Sequence, residues 1–241
     1  MSASFRVLSL AVIACLGCHP DRGSAAPIDQ PEDPESPPTQ FPMSEHFVQS
    51  EQIRNALIHG ELEDAREPAQ WLIDNLVTED VPVRWRPHVP DVRRAAELIV
   101  EAQSIAEAAA GAGRMAHECG ECHEAIGVAV APTERPTPLE DDTTFAQMDR
   151  HAWAAERMWD GLIGPHDDIW VEGATLMRDA PLHPSVAPEP ITSLGAQVHT
   201  LAEAAIELPA DDRAEQYGKI ITTCAGCHTQ LESAAPSPSP E

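Results

Sequence analysis

Two stretches of the chain carry inward-reading positions three and four residues apart. Over 43–59 these are His46, Ser50, Ile53 and Leu57, and over 148–163 they are His151, Ala155, Met158 and Leu162. That spacing keeps side chains on one face of an α-helix. A second helix is predicted over 62–77, with Ala65, Ala69, Leu72, Ile73 and Leu76 along one side, and its counterpart over 167–179. Pro82, Pro87 and Pro90, and later Pro181, Pro184, Pro188 and Pro190, then break the chain into loops. Third helices are expected at 91–109 and 193–207, and fourth helices at 111–126 and 211–232. The pattern predicts an all-α protein made of two tandem four-helix bundles, each able to enclose an apolar interior.

The two halves are copies. A single offset of 105 residues carries Met43 onto Met148, His46 onto His151, Glu51 onto Glu156, Leu57 onto Leu162, Ile58 onto Ile163, Glu67 onto Glu172, Ala69 onto Ala174 and Gly113 onto Gly218. It also carries Cys119, Cys122 and His123 onto Cys224, Cys227 and His228. So long a period exceeds that of solenoid repeats and indicates duplication of a small domain. The expected organisation is a first domain over 43–127, a linker over 128–142 containing the Pro-rich run Ala131 to Asp142, and a second domain over 143–232.

Composition narrows the chemistry. The 241 residues carry 15 Lys plus Arg against 40 Asp plus Glu, a formal net charge of -25. No basic footprint exists to neutralise phosphates, so nucleic acid and an anionic membrane surface are excluded as partners of the folded part. Aromatic residues are only 4%, so the core is built from Ala, Leu, Ile and Val, which suits helices better than a β-sandwich. Residues 1–14 contain a short apolar run, Arg6 to Ala14, of the kind that directs export. It ends in Val12-Ile13-Ala14-Cys15, resembling a bacterial lipobox, which makes Cys15 a candidate lipidation site. Residues 15–42 are Pro-rich without an apolar period and are expected to be a disordered tether, and 233–241 a disordered tail. The expected location is the periplasm or cell envelope, with membrane attachment only through an N-terminal lipid.

Cys119-Gly120-Glu121-Cys122-His123 and Cys224-Ala225-Gly226-Cys227-His228 each read CxxCH, the attachment motif of c-type haem. Two thiols add across the porphyrin vinyl groups, and the adjacent imidazole becomes the proximal iron ligand. On a helix the three side chains share one face. A zinc site using all four Cys would have to be shared between the two copies and leaves the paired His unexplained. A thioredoxin-like dithiol lacks its βαβ context. Cys15-Leu16-Gly17-Cys18-His19 is formally a third match, but it lies at the signal cleavage region with no helical domain around it. The expected cofactors are two covalent haem c groups, with His123 and His228 on the iron.

A helical domain of this size with CxxCH near the end of its last helix, as in Ile220 to Leu231, resembles the cytochrome c-prime and cytochrome c556 family. The resemblance covers both repeats and implies that the distal face of the haem meets the first helix. Members of the c556 type place a Met there, whereas c-prime members leave the position open and bind small gases. Here Met43 and Met148 are candidate distal ligands, and His46 and His151, one turn further on, are the alternatives. Arg114 and Lys219, placed alike before the motif, are candidates to pair with a haem propionate. His59, His88, His166, His183 and His199 have no counterpart in the other copy and are expected to be solvated, as is His117. The five Trp do not repeat and read as packing residues.

These features predict an electron carrier rather than an enzyme, meeting a redox partner protein through a basic docking patch on that partner. The alternative is a gas-binding (NO or CO) protein with an open distal site. A dihaem peroxidase shares the haem count, but no third ligand set or acid–base pair marks turnover.

Overall fold

A computed structural model describes residues 43–180, 189 and 191–234. The export-like start, Cys15, the motif ending at His19, the tether up to residue 42, His183 and the last seven residues lie outside the described residues. The fold is all-α: the described residues form eight α-helices and one short 3-10 turn, Thr78–Asp80, with no strand among them.

Helix α1 spans Met43–His59, α2 Leu62–Asn75, α3 Val89–Glu101 and α4 Ile105–Ile126. After an extended connection come α5 (Thr144–Ile163), α6 (Asp167–Asp179), α7 (Ile191–Ile206) and α8 (Ala210–Ala234). The 105-residue offset holds for the helices themselves, since α2 and α6 begin at Leu62 and Asp167, α3 and α7 end at Glu101 and Ile206, and α4 and α8 begin at Ile105 and Ala210. His46, Ser50, Ile53 and Leu57 are buried along α1, as are Ala65, Ala69 and Leu72 along α2.

The third helix of the first copy stops at Glu101 rather than 109, and the fourth begins at Ile105 rather than 111. The cause is a capping box. Ser104 Oγ accepts from the Glu107 N–H at 3.2 Å, and the Glu107 carboxylate reaches back to the Gln103 N–H at 2.7 Å. Likewise Thr143 caps α5 by accepting from the Ala146 N–H, starting that helix four residues before the apolar period becomes visible.

Consecutive helices pack on one another within each copy, and the copies also pack on each other through α4 with α8, α1 with α8 and α4 with α5. Their buried side chains form a single contiguous core. At the α4–α8 crossing, a Cβ placed on Gly113 would lie 2.2 Å from the Ala214 carbonyl oxygen, and one on Gly218 would lie 3.0 Å from that of Ala109. Ala214 is the counterpart of Ala109, so one contact is made twice with the roles exchanged, as across an approximate two-fold axis. This close approach accounts for the Gly that recurs at both positions.

The segment expected to be a plain linker is fastened down. The Thr133 N–H donates to Asp160, and Arg135 pairs with Glu156, Glu51 and Asp160. Arg54, 1% exposed, lies between Glu51 and Glu156 at 3.6 and 3.5 Å. Its guanidinium sits 6.0 Å from the ring of Trp159, the residue at its own position in the second copy. Glu51 and Glu156, the repeated pair, thus meet two arginines at the centre of the molecule.

Candidate functional site

The structure gathers the sequence-predicted residues of each copy around one cavity. The first has a volume of ≈ 340 Å³ and is lined by Cys119, Cys122 and His123 from α4, by Met43 and His46 from α1, and by Leu72, Val81, Trp85, Val89 and Val92. The second, ≈ 320 Å³, is lined by Cys224, Cys227 and His228 from α8, by Met148 and His151 from α5, and by Leu194 and Val198 from α7. Both fall within the roughly 300–1,000 Å³ of small-molecule sites. The two thiol pairs line separate cavities, so the four Cys do not form one cluster.

Each cavity borrows a wall from the other copy. Ile163, at the end of α5, lines the first, and Asn55, Ile58 and His59, at the end of α1, line the second. The four thiols are free. Burial pushes the Cys119 thiol up to about 12, helped by the neighbouring Cys122 and Glu118, and burial pushes Cys224 up to about 12 as well. Both are therefore held as neutral thiols at neutral pH.

His123 is 7% exposed, and its Nδ1 lies 2.8 Å from the carbonyl oxygen of Ile163. A carbonyl can only accept, so Nδ1 carries the proton and Nε2 is left as the ligating nitrogen. Burial lowers the His123 pKa and the Ile163 bond opposes this, the net direction being downward, toward the neutral imidazole a metal requires. In the second cavity His59 lies against His228, with ring centroids 4.9 Å apart and planes tilted by 30°.

The candidate distal residues differ between copies. His46 is buried and meets the edge of Trp71 at 5.3 Å. His151 is half-buried, with Nε2 donating to the Ala180 carbonyl and its ring 6.0 Å from that of His199. Burial is the main reason its pKa is lowered. Met43 stands at the rim, 37% exposed, and Met148 is half-buried.

Arg114 and Lys219 do not line either cavity. Each pairs with a carboxylate one turn away on its own helix, Glu118 at 2.5 Å and Glu215 at 2.6 Å. Two histidines expected to be solvated are engaged instead, His199 beside His151 and His166 through Nε2 to the Val130 carbonyl, while His59 is exposed as expected and also lies against His228. His117, half-buried, lies 4.0 Å from Glu121. Of the tryptophans, Trp85 lines the first cavity, while Trp159 and Trp170 are core residues.

The donor set fits covalent haem in both copies: two thiols and an imidazole from the last helix line one cavity together with a thioether and a second imidazole from the first. No protein-family model matches the chain, and comparisons with characterised proteins and with solved structures give no significant match.

Proposed function

We propose that this chain is a dihaem c-type cytochrome carrying electrons in the bacterial cell envelope, with one four-helix, c-prime-like bundle per repeat. The observation that carries the reading is the double convergence described above. Residues 70 or more apart in sequence, Met43 and His46 with Cys119, Cys122 and His123, line one cavity, and their counterparts line another. When bound, haem iron supplies one-electron exchange between its ferric and ferrous states.

The chain's own residues hold and tune that group. Cys119 and Cys122, and Cys224 and Cys227, form the thioether links, and His123 and His228 present their imidazoles to iron. The apolar lining of the first cavity by Leu72, Val81, Trp85, Val89 and Val92 excludes water, which raises the cost of the extra charge on ferric iron and favours the reduced form. The acidic surface steers the protein toward a basic patch on a redox partner, so association weakens as salt rises. Export and lipidation at Cys15 belong to the same reading.

The binding of a gas at the second site is a second reading favoured by one observation. The Nε2 of His151 donates to the Ala180 carbonyl, so with that bond kept its imidazole is left with Nδ1 alone as a ligand, and Met148 is the other candidate on α5. Redox titration of the haem-loaded protein tests the main reading: two reversible one-electron steps support it, and irreversible or absent reduction contradicts it. CO added to the reduced protein separates the alternatives. An immediate spectral change in half of the haem marks an open second site, and no change marks six-coordination at both.

A further inference from the structure

We propose that the second repeat holds the proximal ligand of the first: the Ile163 carbonyl, at the end of α5, fixes the tautomer and raises the electron-donating power of His123, with Gly120 as the positioning residue that lets α5 come close enough. This rests on the reading of His123 as a haem ligand.

The contact is specific in geometry. His123 and Ile163 are 40 residues apart and belong to different copies, yet Nδ1 and the carbonyl oxygen are 2.8 Å apart and the bond is buried. A hydrogen bond from the far side of a ligating imidazole makes its other nitrogen more basic, which stabilises ferric over ferrous iron. Gly120 lies one turn before His123, and a Cβ there would stand 2.3 Å from the Leu162 carbonyl oxygen, next to Ile163. Backbone cannot yield cheaply, so any side chain at 120 pushes the end of α5 away. The corresponding corner of the second site is built from other residues. The counterpart of Gly120 is Ala225, which faces Gly60, just past the end of α1, a residue with φ of +83°. The small residue has thus moved to the facing corner. The counterpart of Gly164 is His59, whose ring lies on His228, so the second proximal histidine has a different neighbour.

The experiment uses the full-length, haem-loaded protein labelled with ¹⁵N-histidine, in the diamagnetic reduced state. One proximal histidine should show a protonated Nδ1 protected from solvent exchange. In Gly120→Ala that proton should exchange about tenfold faster. Spectroelectrochemistry of the same variant should show one of the two potentials raised and the other unmoved. Haem present at both sites with a freely exchanging Nδ1 proton in the unsubstituted protein would overturn the inference alone, even where the variant fails to fold. Gly120→Ala with both potentials unchanged, or both shifted equally, would also overturn it. Absence of haem from the unsubstituted protein would overturn the reading of function and this inference with it.

Discussion

The two cavities repeat one set of donors and differ in what surrounds it. The first is walled by aliphatic residues and Trp85, with its proximal His123 tied to a backbone carbonyl. The second places Asn55, His59 and Glu156 on its wall, with His228 facing another imidazole and His151 turned to Ala180. The repeat keeps the donor residues and varies their neighbours, so if both cavities hold haem as proposed, the two potentials are expected to differ. The proximal neighbours also come from the opposite copy, so neither site is self-contained.

Because the cluster of Arg54, Arg135, Glu51 and Glu156 joins the two copies, the largest effect is expected there. Arg54→Met leaves Glu51 and Glu156 with Arg135 as their one remaining cation, and urea unfolding should show a loss of about 2–3 kcal/mol. Next is the α4–α8 crossing, where Gly113→Val should cost about 1–3 kcal/mol by forcing the helices apart. Gly218→Ala, with 3.0 Å rather than 2.2 Å available, should cost less. Equal losses at the two glycines would show that the crossing is more symmetric than the contacts imply.

The thiols give a smaller, pH-dependent effect. In haem-free protein Cys119 should react with iodoacetamide more slowly than Cys122, which is similarly exposed, because Cys119 ionises only toward pH 12. The pKa values of Cys119 and Cys224 are higher folded than unfolded, so the stability they contribute is complete below the ordinary thiol value of about 9.0. It is lost as pH rises from there toward 12. Thermal melts across that window should show the decline in the haem-free chain and a weaker one once the sulfurs are thioethers. The smallest change in stability is expected for His59→Leu at the exposed end of α1, within about 0.5 kcal/mol. It should alter the NMR signals of His228 and leave those of His123 alone.

Much of this was legible in the chain. The period of α1 and α2, the two CxxCH motifs and the constant offset placed Met43, His46, Cys119, Cys122 and His123 at one site before any coordinates. The start of α4 was misjudged because Ala-rich sequence continues smoothly through it, although Ser104 and Glu107 formed a readable capping box. The cross-copy contacts were not legible. Nothing local marks the Ile163 carbonyl as a partner for His123, since a backbone acceptor has no residue identity. Arg54 carries no mark in the sequence, because its partner Glu156 lies 102 residues away. Gly113 and Gly218 were visible as a repeat, but only the α4–α8 crossing explains them. His59 was set aside for having no counterpart, and that absence is what distinguishes the second site.

The most direct test is the intact mass of the protein purified from a host equipped for cytochrome maturation, compared with variants lacking one motif. The account predicts two haem additions on the unaltered polypeptide, one after Cys119→Ser with Cys122→Ser, and one after Cys224→Ser with Cys227→Ser. An unmodified polypeptide, or haem lost from both sites when either motif is removed from a protein that still folds, would contradict it.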